Sequence, residues 1–266
     1  MIYFPQLLTG AMSQYPISRG REARTAVTFG HEGHAVKLAD PDDQAVRWEL
    51  PLTGLTDSEW AAIEAVFHEC EGSLQPFCFL DPAHNLLSWS EELQREVWHK
   101  DALLRLTEGL SDVFGGTQAT QIVNVGQTEQ TIWQVLDVPA SFHYCLSVYA
   151  RSVQATEVRL KQWCTAVSRS TAATVWSGWG RVLLSANLAF SEERVYFGLG
   201  LPAGASVEVC GLQVEAQRGA SEYKRTYDRG GIYPRARFAS DELGVLTDGP
   251  DSHSSIIRIT AGVRQS

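Results

Sequence analysis

Apolar and polar positions alternate with a period of two over Val46–Leu52. Val46, Trp48, Leu50 and Leu52 fall on one side, Arg47 and Glu49 on the other. This predicts a half-buried strand. The period then lengthens: Trp60, Ile63, Phe67 and Cys70 recur every three or four residues, the apolar stripe of one amphipathic helix. Thr56 and Glu59 predict a capping box at its start, and Gly72 the C′ residue at its end. Phe77–Leu80 is a second apolar strand, closed by Asp81-Pro82. A helix this short is held only by packing, and its flanking strands are the nearest partners. Upstream, Arg24–Phe29 and His34–Leu38, joined at Gly30–Gly33, predict two short strands, with a turn at Asp40-Pro41-Asp42-Asp43. Residues 1–20, punctuated by Pro5, Gly10, Pro16 and Gly20 and bearing Tyr3, Phe4 and Tyr15 as exposed aromatics, predict an arm ordered by lying on something else.

The texture changes at Asn85. Apart from a short helical segment at Glu91–Trp98, the chain to residue 218 alternates short strands with turns. Thr131–Leu136, Phe142–Ala150, Glu157–Trp163, Arg181–Ser185, Val195–Leu201 and Ser206–Val214 are the predicted strands. That spacing predicts an all-β sandwich. After Gly219 come Tyr233–Phe238, Gly244–Leu246, the polar turn Asp248-Gly249-Pro250-Asp251 and the strand Ser255–Ala261. So short a tail cannot bury its own core, so it is expected to complete the sheet begun by residues 21–82. The organisation is then a discontinuous outer domain, 1–84 and 219–266, with 85–218 inserted.

Composition adds little to this and removes several possibilities. The chain has 266 residues, 44% hydrophobic and 20% charged, with net charge -9, which is ordinary globular material. The first 85 residues carry 5 basic and 12 acidic side chains, the middle 10 and 13, and residues 219–266 7 and 6. None of these is a basic footprint for nucleic acid or an anionic membrane. No stretch is long enough for a membrane span, and MIYFPQLLTG lacks the basic and apolar regions of a signal peptide. The five cysteines are widely spaced without CxxC, as expected of reduced core thiols in a cytoplasm.

No catalytic constellation emerges, and no enzyme, metal or cofactor is expected. His31-Glu32-Gly33-His34 is a hairpin turn rather than HExxH. Asp40, Asp42 and Asp43 lack the spacing and closing glutamate of a calcium loop. Glu208 and Glu215, at odd separation in one strand, should face opposite sides and make a poor glycosidase pair. The aromatics are more informative. Trp133 and Tyr144 read as core residues. Trp176 and Trp179, flanked by Ser177, Gly178 and Gly180, read as exposed indoles able to stack on sugar faces, with Trp163 a third candidate.

Two stretches resemble known families. RWELPLTGLTDSEWAAIEAVFHECEGSLQPFCFLDP at 47–82 and RARFASDELGVLTDGPDSHSSIIRITAG at 235–262 resemble the belt domain of phage distal tail proteins. NLLSWSEEL at 85–93, YCLSVYARS at 144–152 and GLQVEAQRGASEYKRT at 211–226 look like the jelly-roll carbohydrate-binding-module domains often inserted in phage tail proteins. The fold implied is mainly β: a split-barrel belt domain with one packed helix, plus an inserted β-sandwich. The resemblance implies a virion structural protein assembled in the bacterial host cytoplasm. It would form a six-membered ring of identical subunits at the tail tip, between the tail tube protein and the tail-tip hub protein. The arm 1–20 and the turn 248–254 would reach neighbours, and the sandwich would face host surface polysaccharide. Iron–sulfur clusters in related tail-tip proteins use four cysteines near the C-terminus; here none follows Cys210. The alternative reading is a stand-alone carbohydrate-binding protein.

Overall fold

The computed structural model describes residues 1–7 and 15–262, with side chains described except at 24 and 39–44. In chain order the strands are β1 Ser18–Phe29, β2 Ala35–Leu55, β3 Phe77–Leu80, β4 His99–Lys100, β5 Leu104–Leu110, β6 Ala119–Asn124, β7 Gln130–Leu136, β8 His143–Arg151, β9 Thr156–Trp163, β10 Ser168–Val175, β11 Gly180–Asn187, β12 Val195–Leu201, β13 Ser206–Glu215, β14 Ile232–Phe238, β15 Leu246–Gly249 and β16 Ser252–Gly262. The helix α1 spans Asp57–Glu69. These elements form two compact units, Met1–Leu80 with Ile232–Ser266, and Asp81–Gly231.

The first unit is a sheet in the order β1-β2-β16-β14-β3, with β15 on β16. The tail strands complete the sheet of the early strands, but among the described residues it does not close into a barrel. The place beside β3 that closure would need is taken by the N-terminus: Phe4 donates its N–H to Cys78 O at 2.9 Å, and Cys78 donates to Ile2 O at 2.8 Å. Phe4 is therefore buried, its ring 5.9 Å from Phe77 and 5.8 Å from Phe79. Residues 1–7 lie on their own core, residues 8–14 of the expected arm fall outside the described residues, and of the expected exposed aromatics Tyr15 is exposed and Phe4 is not. The expected turn at Asp40–Asp43 is instead a register shift inside β2. Ala23 pairs with Gln44 and Arg24 with Asp40, so the extra residues bulge and the strand runs on.

The helix forms as its sequence predicts. Glu59 N donates to Thr56 Oγ1 at 3.2 Å and Thr56 N to Glu59 Oε2 at 3.1 Å. Trp60 and Ile63 are buried, and Phe67 meets Phe238 edge-on at 5.1 Å. Its end differs by one residue. The C′ position is Glu71 (φ 50°), which donates to His68 O, and Gly72 follows as C″, donating to Phe67 O; this is the Schellman pattern. Gly72 also answers a close approach: an added Cβ would sit 2.7 Å from Asp241 Oδ1.

The second unit is a β-sandwich of jelly-roll type. Its five-stranded sheets run β10-β9-β12-β7-β4 and β11-β8-β13-β6-β5. Their facing sides are apolar: Ile132, Leu160, Phe197 and Leu199 against Ile122, Tyr144, Leu146 and Val148, all buried. Tyr144 meets Phe197 across the gap at 5.3 Å. Glu91–Trp98 is not helical. It is three successive turns closed by Glu92 N→Trp89 O, Arg95 N→Glu92 O and Trp98 N→Arg95 O.

The segment after β13 belongs to this unit, which runs to Gly231 rather than ending at Arg218. Buried Glu215 accepts from Gln213 Nε2 at 2.8 Å, Gln217 Nε2 at 2.9 Å and Ser221 N at 3.0 Å, and from Ser221 Oγ. Tyr223 stacks on Phe114 at 5.2 Å and bonds Ser90 through its hydroxyl. These contacts cover the outer face of the second sheet.

Candidate functional site

On the outer face of the sheet β10-β9-β12-β7-β4 the chemistry is concentrated in one place. In β12 the residues Val195, Phe197, Leu199 and Leu201 turn inward and are buried. By alternation Tyr196, Gly198 and Gly200 turn outward. Gly198 pairs with Trp133 on one side and Lys161 on the other; Tyr196 pairs with Trp163. The result is an aromatic strip across the sheet. His99 of β4 stacks on Trp133 at 5.7 Å and 20°; Trp133 meets Trp163 at 6.2 Å; Trp163 lies nearly parallel to Tyr196, at 5.3 Å and 13°. The glycines make the floor. A Cβ at Gly198 would come within 2.8 Å of Ile132 O and 2.9 Å of Trp133 Cβ, and one at Gly200 within 3.0 Å of Glu129 Oε1.

Beside the strip lies a cleft of about 580 Å³ lined by Trp133, Trp163, Glu129, Lys161, Arg159 and the turn after β9. Its charges are mutually engaged. Lys161 is ion-paired with Glu129 and donates to Thr131 Oγ1 at 3.2 Å. Arg159 lies 3.6 Å from Glu129 and 3.1 Å from Glu157. Asp101 accepts from Thr131 N at 2.8 Å. The turn wall is fixed by Glu192, which accepts from Thr165 N at 3.1 Å and Thr165 Oγ1 at 2.8 Å; the Thr165 hydroxyl is the main cause holding the Glu192 carboxyl below the ordinary glutamate value. Flat apolar faces beside oriented donors and acceptors suit a ring with one apolar face and hydroxyls at its rim.

Of the three tryptophans singled out from the sequence, Trp163 lies in this cleft. Trp176 does not: Trp163 pairs with Ser168 at one end of the β9–β10 ladder, and Trp176 follows Val175 at the other, about 24 Å away. It is 63% exposed on the β10–β11 loop. Trp179 is half-buried with the Arg151 guanidinium 4.6 Å over its ring. Trp133, expected in the core with Tyr144, sits on the outer face instead; Tyr144 is fully buried. Tyr196 and Gly198 were legible in the alternation of VYFGLGL. For Trp133 the signal was obscured, because inward-facing Gln134 is polar and buried.

Glu208 and Glu215 also differ from expectation. A bulge between Cys210 and Gln213 shifts the register, so Glu208 pairs with Arg151 and Glu215 with Cys145, on the same face. They stand six residues apart along β8, about 20 Å, far beyond the separation of glycosidase carboxylate pairs. Glu208 is ion-paired with Arg151 at 2.6 Å. Among the described residues no group of three metal-ligating side chains converges, and no helix is long and apolar enough to cross a membrane. All five cysteines are buried, and none is in a disulfide.

No family model and no curated protein matches this sequence. Solved structures similar to part of it include a family 22 xylan-binding domain, at 12% identity and TM-score 0.43, covering 53% of this chain and 100% of that one. A family 61 carbohydrate-binding module in complex with β-1,4-galactotriose aligns at 14% identity and TM-score 0.39, covering 50% and 99%. The enzymatically active domain of tailspike protein 4 of bacteriophage CBA120 aligns at 11% identity and TM-score 0.42. That alignment covers 52% of this chain but only 22% of the tailspike chain. At such TM-scores the fold rests on the strand orders and buried faces, not on these likenesses.

Proposed function

We propose that the sandwich binds a glycan chain on the outer face of its first sheet. The observation that carries this is the strip Trp133–Trp163–Tyr196 laid over Gly198. The sugar faces stack on the indoles, and the ion-paired Glu129, Lys161 and Arg159 bond their hydroxyls. The binding partner is a surface polysaccharide of a host cell. The chain as a whole is a component of a phage or phage-like tail tip, assembled in the host cytoplasm. Its first unit forms a six-membered ring between tail tube and hub. What supports this part is the resemblance of 47–82 and 235–262, two stretches that fold into one sheet-and-helix unit. Six copies of a weak site would give useful avidity.

The test is a glycan array with the full chain, followed by calorimetry on the best ligand. Trp163→Ala or Trp133→Ala should weaken binding about tenfold to a hundredfold, the worth of one lost stacking platform. Trp176→Ala should leave it within about twofold. Binding lost in Trp176→Ala but kept in both cleft variants would move the site to the β10–β11 loop.

A further inference from the structure

The cleft is built of rungs laid across β12. Glu129, Thr131 and Trp133 stand on its β7 side, and Arg159, Lys161 and Trp163 on its β9 side. Between them β12 offers only Gly198 and Gly200, so side chains from the two flanks meet above it. Over Gly198 they are Trp133 and Trp163, 6.2 Å apart. Over Gly200 they are Glu129, Lys161 and Arg159. A Cβ added at Gly200 would sit 3.0 Å from Glu129 Oε1 and 3.1 Å from Lys161 Cε, so only glycine leaves room for the charged rung. Two strand residues separate the rungs, about 7 Å. A carboxylate on a sugar stacked over the aromatic rung, or on the next sugar along β12, therefore falls within reach of the charged one.

Two cations in an open sugar site would by themselves select acidic glycans. Here each already has a carboxylate. Lys161 is ion-paired with Glu129 through Oε1. Arg159 donates to Glu157 at 3.1 Å and lies 3.6 Å from the other oxygen of Glu129, Oε2. Glu129 thus serves both cations at once. Asp101 lines the cleft as well. Asp101, Glu129 and Glu157 against Arg159 and Lys161 leave one negative charge in excess. An incoming carboxylate or sulfate must break an existing pair or lie uncompensated, and either costs affinity.

We infer that Glu129 sets the specificity of the cleft: it takes uncharged glycan chains and rejects uronic-acid and sulfated ones, because Glu129 occupies both cations of the polar rung. This rests on the glycan reading proposed above and names its substrate class.

The test is an array of neutral, uronic-acid-bearing and sulfated oligosaccharides probed with the full chain, followed by calorimetry on the best ligand of each class. The parent's strongest ligands should be neutral. Glu129→Gln should raise the ratio of acidic to neutral affinity at least about tenfold, the worth of one partly screened charge pair. The gain should shrink as salt rises from about 0.05 to 0.5 M. Glu157→Gln, at a position more than half exposed, loosens Arg159 instead and should act in the same direction. Adding Lys161→Met to Glu129→Gln should remove most of the gain. A parent that prefers acidic glycans would overturn the inference. So would an unmoved ratio in Glu129→Gln, or in Glu157→Gln should circular dichroism show the first variant unfolded, or a gain that survives Lys161→Met. Each of these leaves the cleft standing as a glycan site. A parent that binds no glycan would overturn the glycan reading itself, and this inference with it.

Discussion

Gly198 shows how one residue type decides a site. Its added Cβ would meet a carbonyl oxygen and the Cβ of Trp133 at 2.8 and 2.9 Å, atoms that cannot swing aside. Gly198→Ala should cost about 1–3 kcal/mol in urea unfolding, as overpacking does, and should weaken glycan binding by displacing Trp133. Asp112 makes a prediction in pH. Burial pulls its carboxyl upward, but N–H donors from Gln118, Gly116 and Phe114 outweigh this, and it titrates below the ordinary aspartate value of 3.8. The folded state thus holds the proton less tightly than the unfolded. The stabilisation is present above pH 3.8 and is lost as pH falls through the lowered value. Asp112→Asn should be about 1–3 kcal/mol less stable at neutral pH and should lose part of the parent's decline in acid, followed by thermal melts from pH 7 to 3. The buried thiols give a third test. Burial, seconded by Glu215, pushes Cys145 up to about 11, and burial likewise pushes Cys210 to about 11. At pH 8 neither should react with a thiol reagent until the protein is unfolded.

Among the elements, those that follow one period were legible from the sequence. The helix could be read to its capping box, and Thr56→Ala should cost about 1 kcal/mol by chemical denaturation. The six strands expected in the sandwich were placed to within a residue or two, whereas Val46–Leu52 is one end of the longer β2, which also takes in the separately expected His34–Leu38. What escaped had local causes. β10, SRSTAATV, is an edge strand of small and polar residues with almost no buried side chain, so no alternation marks it. The bulge at Gly211, φ 63°, inverts the inside–outside order of β13 midway, and parity counted from sequence fails beyond it. The cleft was half legible. Trp163 was identified, but its companions come from β4, β7 and β12, and only the pairing register brings them together.

For the whole molecule the question is where one unit ends. The sandwich closes on itself: Asp81 N donates to Gly231 O at 2.9 Å and Gly231 N to Asn85 O at 2.8 Å, so the two ends of the insert are tied side by side. Gly230 allows this contact, since a Cβ there would fall 2.0 Å from Leu86 O. A boundary drawn at residue 218, where composition changes, would remove Ser221, Tyr223, Lys224 and Thr226. Glu215 would lose two of its donors, both from Ser221, and Gln213 Oε1 the N–H of Lys224 at 2.7 Å. Leaving buried polar groups unsatisfied costs about 1–3 kcal/mol each, and the Phe114–Tyr223 stack would go as well. A fragment spanning 81–231 should therefore unfold in one cooperative transition and keep the full chain's affinity per site for a short glycan that reaches one cleft only. A fragment spanning 85–218 should melt at a much lower temperature or fail to fold. Scanning calorimetry on the two fragments decides it: equal stability would mean that the segment 219–231 merely rests on the sheet and contributes nothing to its core.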